Sequence, residues 1–288
     1  MKRIIFSLAL GLFATVTFAS CHRMMHTPQP AGNQASATAS AEPSYAASAS
    51  TSNAQGGGTR SVGRLPRFDG VTVSNGITLR YVPGGKPSIV VTTSCIDPSE
   101  VVVIVNDDDL TINYADHTAA HNEKTVVTIT GYSIKDFELE NGGVIDIAAP
   151  LRITGKLSLE VNNGGTIKLP GLKASELDVD VNNGGLVQLS NVNVSNLEMD
   201  VNNGGDIKVN GVRSGYADLE VSNGGNIDIV GSASTGKFEI NNGGKIQADR
   251  LSTKRASIEL NNGGTLHYNS QRVIKHEVFG GSARNHFK

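Results

Sequence analysis

The sequence predicts an all-β chain whose body is a right-handed parallel β-solenoid (a β-helix) of about seven 20-residue coils, capped by an N-terminal β-rich region. Three observations carry this. The phrase Asn-Gly-Gly occurs seven times, beginning at Asn141, Asn163, Asn183, Asn203, Asn223, Asn242 and Asn262, at spacings of 22, 20, 20, 20, 19 and 20 residues. A fixed period near 20 marks a repeat architecture. On both sides of the phrase, apolar and polar residues alternate with the period of a half-buried strand, as in Leu157-Ser158-Leu159-Glu160-Val161 and Thr166-Ile167-Lys168-Leu169. The composition agrees, with 33 Gly, no Trp, 5% aromatic residues and runs of Val, Ile and Thr.

Each element follows from the repeat. Asn-Gly is also a hairpin signal, so an antiparallel meander of seven hairpins is the competing fold. The solenoid is preferred because it places each residue about 4.8 Å from its own copy in the next coil. That explains why the Asn before Gly-Gly is the same in every copy: stacked amides donate to one neighbour and accept from the other. The glycines allow positive φ at the corner, and right-handedness follows the rule for parallel crossovers. Three inward ladders are expected. One is Leu139, Val161, Val181, Val201, Val221, Ile240 and Leu260; a second is Ile145, Ile167, Val187, Ile207, Ile227, Ile246 and Leu266. The third runs through Leu151, Leu172, Val192, Val212 and Leu251, with Ser232 as its exception.

The chain divides into five parts. Residues 1–21 read as a signal peptide: Lys2 and Arg3 precede an apolar stretch, Ile4 to Phe18, shorter than the roughly 20 residues of a membrane span. It ends in Phe18-Ala19-Ser20-Cys21, which resembles a bacterial lipobox and marks Cys21 for lipidation; ordinary cleavage after Ala19 is the alternative. His22 rather than Asp follows, which by resemblance to lipoprotein sorting favours the outer membrane. Residues 22–62 are rich in Ala, Ser and Thr and read as a disordered tether. Residues 63–131 form the N-terminal β-rich part. Within it Phe68 to Tyr81 reads as two strands turning at Asn75-Gly76, followed by strands at Ser88–Thr93, Glu100–Val105, Leu110–Tyr114 and Thr125–Thr130. Residues 132–281 are the Asn-Gly-Gly solenoid, with Phe279-Gly280-Gly281 a degraded eighth corner, and 282–288 are a polar tail.

Arg67-Phe68-Asp69-Gly70-Val71, Val73-Ser74-Asn75-Gly76-Ile77 and Leu110-Thr111-Ile112, followed by Gly-rich β repeats, resemble the auto-transporter adhesin head GIN domain family. The resemblance runs from about Arg64 to the C-terminus. It implies an exported protein of the kind common in Bacteroidetes-type bacteria, and it supplies no catalytic residues to carry over.

The chemistry available is limited. One outward position is acidic in every copy: Glu138, Glu160, Asp180, Asp200, Glu220, Glu239 and Glu259, thickened by Asp178, Glu198 and Asp218. Stacked, these make a carboxylate stripe, a candidate surface for divalent cations or a basic partner. The plainer account is that acidic residues keep an exposed β face soluble. The Asp107-Asp108-Asp109 run reads as a solvated turn, His117 and His121 lack a zinc-site pattern, and Cys95 reads as a buried, inert thiol. No metal site, cofactor or catalytic residue is expected. A net charge of −2 without a basic run argues against nucleic acid. The expectation is a non-catalytic lipoprotein of the outer membrane or cell surface, held to the membrane by its lipid, with an adhesin-like or scaffold module for a glycan or protein. The alternatives are a periplasmic structural protein and a carbohydrate-active β-helix enzyme.

Overall fold

The computed structural model describes residues 50–52, 57–116 and 122–288. The signal peptide, Cys21, His117 and His121, and most of the tether lie outside the described residues. The described chain is a parallel β-solenoid of about eight turns. Its strands are β1 (Ser50–Ser52), β2 (Gly58–Val62), β3 (Gly70–Ser74), β4 (Thr78–Val82), β5 (Ser88–Thr93), β6 (Val101–Asn106), β7 (Asp109–Tyr114), β8 (Val126–Thr130), β9 (Asp136–Glu140) and β10 (Val144–Ile147). The repeats continue with β11 (Leu151–Arg152), β12 (Lys156–Asn162), β13 (Thr166–Leu169), β14 (Leu172–Lys173) and β15 (Glu176–Asn182). From there each coil is one long bent strand: β16 (Leu186–Asn202), β17 (Asp206–Ser222), β18 (Asn226–Asn241), β19 (Lys245–Asn261) and β20 (Thr265–Phe279), closed by β21 (Ser282–Asn285).

Every repeat strand pairs in parallel with its copy in the next coil, which excludes the meander. The first two inward ladders form as expected, each member fully buried. Branched apolar side chains thus stack at one-strand spacing with no polar group to satisfy between them. The third ladder differs at one step. Val212 pairs with Gly231, and Gly231 with Leu251, so Gly231 rather than Ser232 fills the exceptional place. The cause is the 19-residue coil, which shifts register after Asn210. A Cβ at Gly231 would lie 2.1 Å from the Val212 carbonyl oxygen.

The stack extends past the seven corners at both ends. Gly280 continues the corner column, its carbonyl accepting from the Gly263 N–H at 3.3 Å. At the other end Asn75-Gly76 is a corner and not the turn of a hairpin: β3 pairs with β9 and β4 with β10, both in parallel. The order is unexpected. β3 also pairs in parallel with β7, and β4 with β8, so the first coil in the chain lies second in the stack. The β7–β8 coil beneath it is covered by antiparallel strands, β6 on β7, β5 on β8, and β2 on β5; Gly58–Val62 is therefore a paired strand and not the end of a disordered tether, because β5 offers it an open edge. These blunt an edge that would otherwise offer unpaired backbone groups.

Cys95 is half-buried rather than buried, because it lies in the loop after β5 and not on a strand. That loop wraps the Glu123 carboxylate, which accepts backbone N–H bonds from Ser94 (2.9 Å), Cys95 (2.8 Å) and Ile96 (3.1 Å).

Candidate functional site

The Asn-Gly-Gly corners place the outward faces. All seven corner Asn residues have φ between 55° and 59°, the left-handed region. Asn tolerates that region better than other non-Gly residues, so the Asn as well as the glycines is selected by backbone geometry. Their side chains form an unbroken ladder: Asn163 Nδ2 to Asn141 Oδ1 (3.2 Å), Asn183 to Asn163 (3.1 Å), Asn203 to Asn183 (3.2 Å), Asn223 to Asn203 (3.3 Å), Asn242 to Asn223 (3.1 Å) and Asn262 to Asn242 (3.1 Å). This corner column is structural, and it fixes the register of the strand before it.

On that strand the acidic positions stack in register, Glu138 on Glu160 and onward through Asp180, Asp200, Glu220, Glu239 and Glu259. Glu277 continues the column beyond the last Asn-Gly-Gly, a step missed because its coil lacks the marker phrase. Asp178, Glu198 and Asp218 form a parallel column two residues earlier. All of the stripe from Glu138 to Glu259 is half-buried. Burial, reinforced by Glu160 and Glu140, raises Glu138 to about 7. Burial, with Asp178 and Glu160, raises Asp180 to about 6. Burial, with Asp180 and Glu220 on either side, raises Asp200 to about 7. Carboxylates one rung apart disfavour each other's charge, and partial desolvation weakens the screening between them.

Counter-charges sit at the flanks. Lys156 bonds Asp178 and lies 3.8 Å from Glu176. Lys237 bridges Glu239 (3.0 Å) and Asp218 (3.3 Å), and Lys275 bridges Glu259 (2.8 Å) and Glu277 (3.0 Å). Glu160, Asp180, Asp200 and Glu220 have no lysine in contact among the described residues. Asn162 donates to Glu160 (2.7 Å) and Glu138 (3.2 Å), and Asn241 to Glu220 (3.3 Å), so neutral amides line the stripe. Among the described residues no three His, Cys, Asp or Glu side chains converge into a group that could hold a metal ion.

The opposite face repeats no chemistry. Its column runs Asp146, Lys168, Gln188, Lys208, Asp228, Gln247 and His267. Across it Arg250 pairs with Asp228 at 2.9 Å, and His267 Nδ1 meets His286 Nε2 at 2.9 Å.

Solved structures share this architecture. A protein titled "Putative lipid binding protein" from Parabacteroides distasonis ATCC 8503 matches with a TM-score of 0.69 at 17% identity, covering 82% of this chain and 98% of that one. A "putative adhesin" from the same organism gives 0.64 at 16%, covering 79% and 94%. Another from Parabacteroides merdae ATCC 43184 gives 0.55 at 17%, covering 82% and 98%. At such identities the likeness is one of fold. No curated protein matches the sequence. The family model described as "Putative auto-transporter adhesin, head GIN domain" matches residues 67–214 and 187–283, spanning the coils, the corner ladder and the acidic stripe, and the chain belongs to that family.

Proposed function

We propose that the protein is a non-catalytic cell-envelope lipoprotein, anchored through Cys21, whose solenoid is an adhesin-like or scaffold module for a glycan or protein at the cell surface. The observation that carries this reading is the registry of the outward columns. Stacking turns one residue per coil into a long flat surface of one chemistry, and such a surface suits contact with an extended partner. Membership in the adhesin family supports the same reading. Within it, the lysine-poor stretch Glu160, Asp180, Asp200 and Glu220 is the part of the acidic stripe proposed to meet divalent cations or a basic partner. Binding arrays of glycans and of envelope proteins, probed with the mature chain, test the module. Absence of binding on both would leave the periplasmic structural role. Metabolic labelling with palmitate tests the anchor: the label should vanish in Cys21→Ser. Protease shaving of intact cells tests exposure, and full protection would remove the surface reading.

The polysaccharide-cleaving alternative draws on one feature, the carboxylates of Glu138 and Asp200 held near neutrality, as general acids are. Release of reducing ends from any polymer incubated with the mature chain would establish it in place of the non-catalytic reading.

A further inference from the structure

A groove of about 780 Å³ lies at the N-terminal end of the solenoid, its Lys135 wall leading into the strand that carries Glu138, the first member of the acidic stripe. Three separate segments build it: the connection from β2 to β3, the residues entering β5, and the connection from β8 to β9. Arg64 and Arg67 line it, both are exposed, and among the described residues neither has an acidic partner. The carboxylate at the groove, Asp69, is already taken by Lys135 at 2.8 Å. Two uncompensated guanidinium groups therefore share one concavity, on a chain whose net charge is −2.

The wall is aromatic and held in place. The half-buried ring of Tyr132 stacks on Phe68 with centroids 4.5 Å apart and planes at 26°. Tyr81 Oη donates to the Tyr132 carbonyl at 2.6 Å, and the Lys135 N–H donates to the Asp69 carbonyl at 2.7 Å. Pro66 and Pro87 stiffen the other walls. The groove is thus preformed, within the size range of small-ligand sites, and loses little entropy on binding.

We propose that this groove binds an acidic saccharide, its carboxylate held by Arg64 and Arg67 and a sugar ring packed beside Tyr132. A guanidinium fork matches a carboxylate bidentately, and an aromatic side chain offers a sugar's C–H groups an apolar surface. This rests on the glycan reading proposed above and gives it a location and a ligand class.

The test is calorimetry of the full mature chain with a uronic-acid oligosaccharide, its carboxyl-reduced counterpart and polyglutamate. The uronic-acid oligosaccharide should bind, its affinity falling as salt rises, and the carboxyl-reduced form should bind at least roughly tenfold more weakly. Arg64→Gln/Arg67→Gln should lose roughly tenfold or more in affinity for the acidic form while keeping the parent melting temperature, since both side chains are exposed. Arg64→Lys/Arg67→Lys should recover only part of it. Unchanged affinity in the Gln variant would overturn the site, and equal binding of polyglutamate would reassign the groove to acidic peptides. Array binding that survives in the Gln variant, with no uronic-acid binding by the parent, would overturn the groove and leave the adhesin reading standing. No binding of any glycan or protein would overturn both.

Discussion

The amide of Asn203 donates from Nδ2 to Asn183 Oδ1 at 3.2 Å while its own Oδ1 accepts from Asn223 Nδ2 at 3.3 Å, and its backbone stands at φ 56°. Two roles meet in one side chain. Asn203→Ala removes both bonds and puts a Cβ-bearing residue without a local hydrogen bond in the left-handed region, so it should cost about 2 kcal/mol. Asn203→Gly keeps the backbone preference and loses only the bonds, so it should cost about half as much. Thermal melts compare them; equal losses would show that the ladder bonds alone matter.

The two corner glycines should answer differently to one methyl group. A Cβ on Gly224 meets nothing within 4 Å, whereas on Gly225 it would lie 2.5 Å from Val201 Cγ1 and 2.9 Å from the Gly205 carbonyl oxygen. Both have positive φ, 86° and 102°. Gly224→Ala should therefore cost about 1 kcal/mol from backbone strain, and Gly225→Ala roughly 3 kcal/mol or more, because packing fails as well. Denaturant titration of the two variants decides it.

The raised carboxylates invert the usual pH dependence over one window. Glu138 and Asp200 titrate at about 7 and Asp180 at about 6 in the folded protein, against about 4 when unfolded. The folded state therefore binds more protons between about pH 4 and 7, and this contribution to stability grows as pH falls through that range. Below it the sign reverses. Hydrogen bonds from Lys275 and Asn261 hold Glu259 below its ordinary value, one from Gln247 does the same for Asp249, and those from Ser99 do so for Asp97. Their contributions are present at neutral pH and are lost as these groups protonate. The melting temperature should be higher at about pH 5 than at about pH 8, and Asp200→Asn should reduce that difference while raising stability at the alkaline end. A melting temperature that climbs steadily with pH would contradict the coupled stripe.

The same repulsion should respond to salt. Raising sodium chloride to about 0.5 M at pH 8 should stabilise the parent more than Asp200→Asn, because screening relieves like charges. Differential scanning fluorimetry reads both.

Glu123 holds the cap loop through three backbone N–H groups and the Thr125 hydroxyl at 3.0 Å. Glu123→Ala leaves those N–H groups without their acceptor and should cost about 2–3 kcal/mol. Hydrogen exchange should rise first at residues 94–96.

Much of this was legible in the residues. Val161 and Ile167 announce their inward direction by alternation, and Asn163 its stacking by exact repetition at one position. What was not legible depends on register between distant segments. Gly231 takes the place assigned to Ser232 because one coil is a residue short. Asn75-Gly76 reads as a hairpin locally, and only the pairing of Val73 with Leu139 and Ile112 makes it a corner. Arg64, Arg67 and Tyr132 share no periodicity, so nothing in the linear pattern joins them into a groove. The acidic column was visible, but its titration near neutrality depends on a half-burial that alternation does not measure.

The interleaved order of the first coils gives the molecule unequal ends under load. A pull from the C-terminal side peels β21 from β20 and then β20 from β19, one rung at a time, as a zipper opens. A pull through the N-terminal side strips β2 from β5 and then reaches β3, gripped by β7 beneath and β9 above, with β4 held likewise by β8 and β10. Withdrawing that coil requires rows of backbone bonds on both of its flanks to fail together. Force applied through β2 thus reaches a coil clasped on both flanks, and there the solenoid yields last.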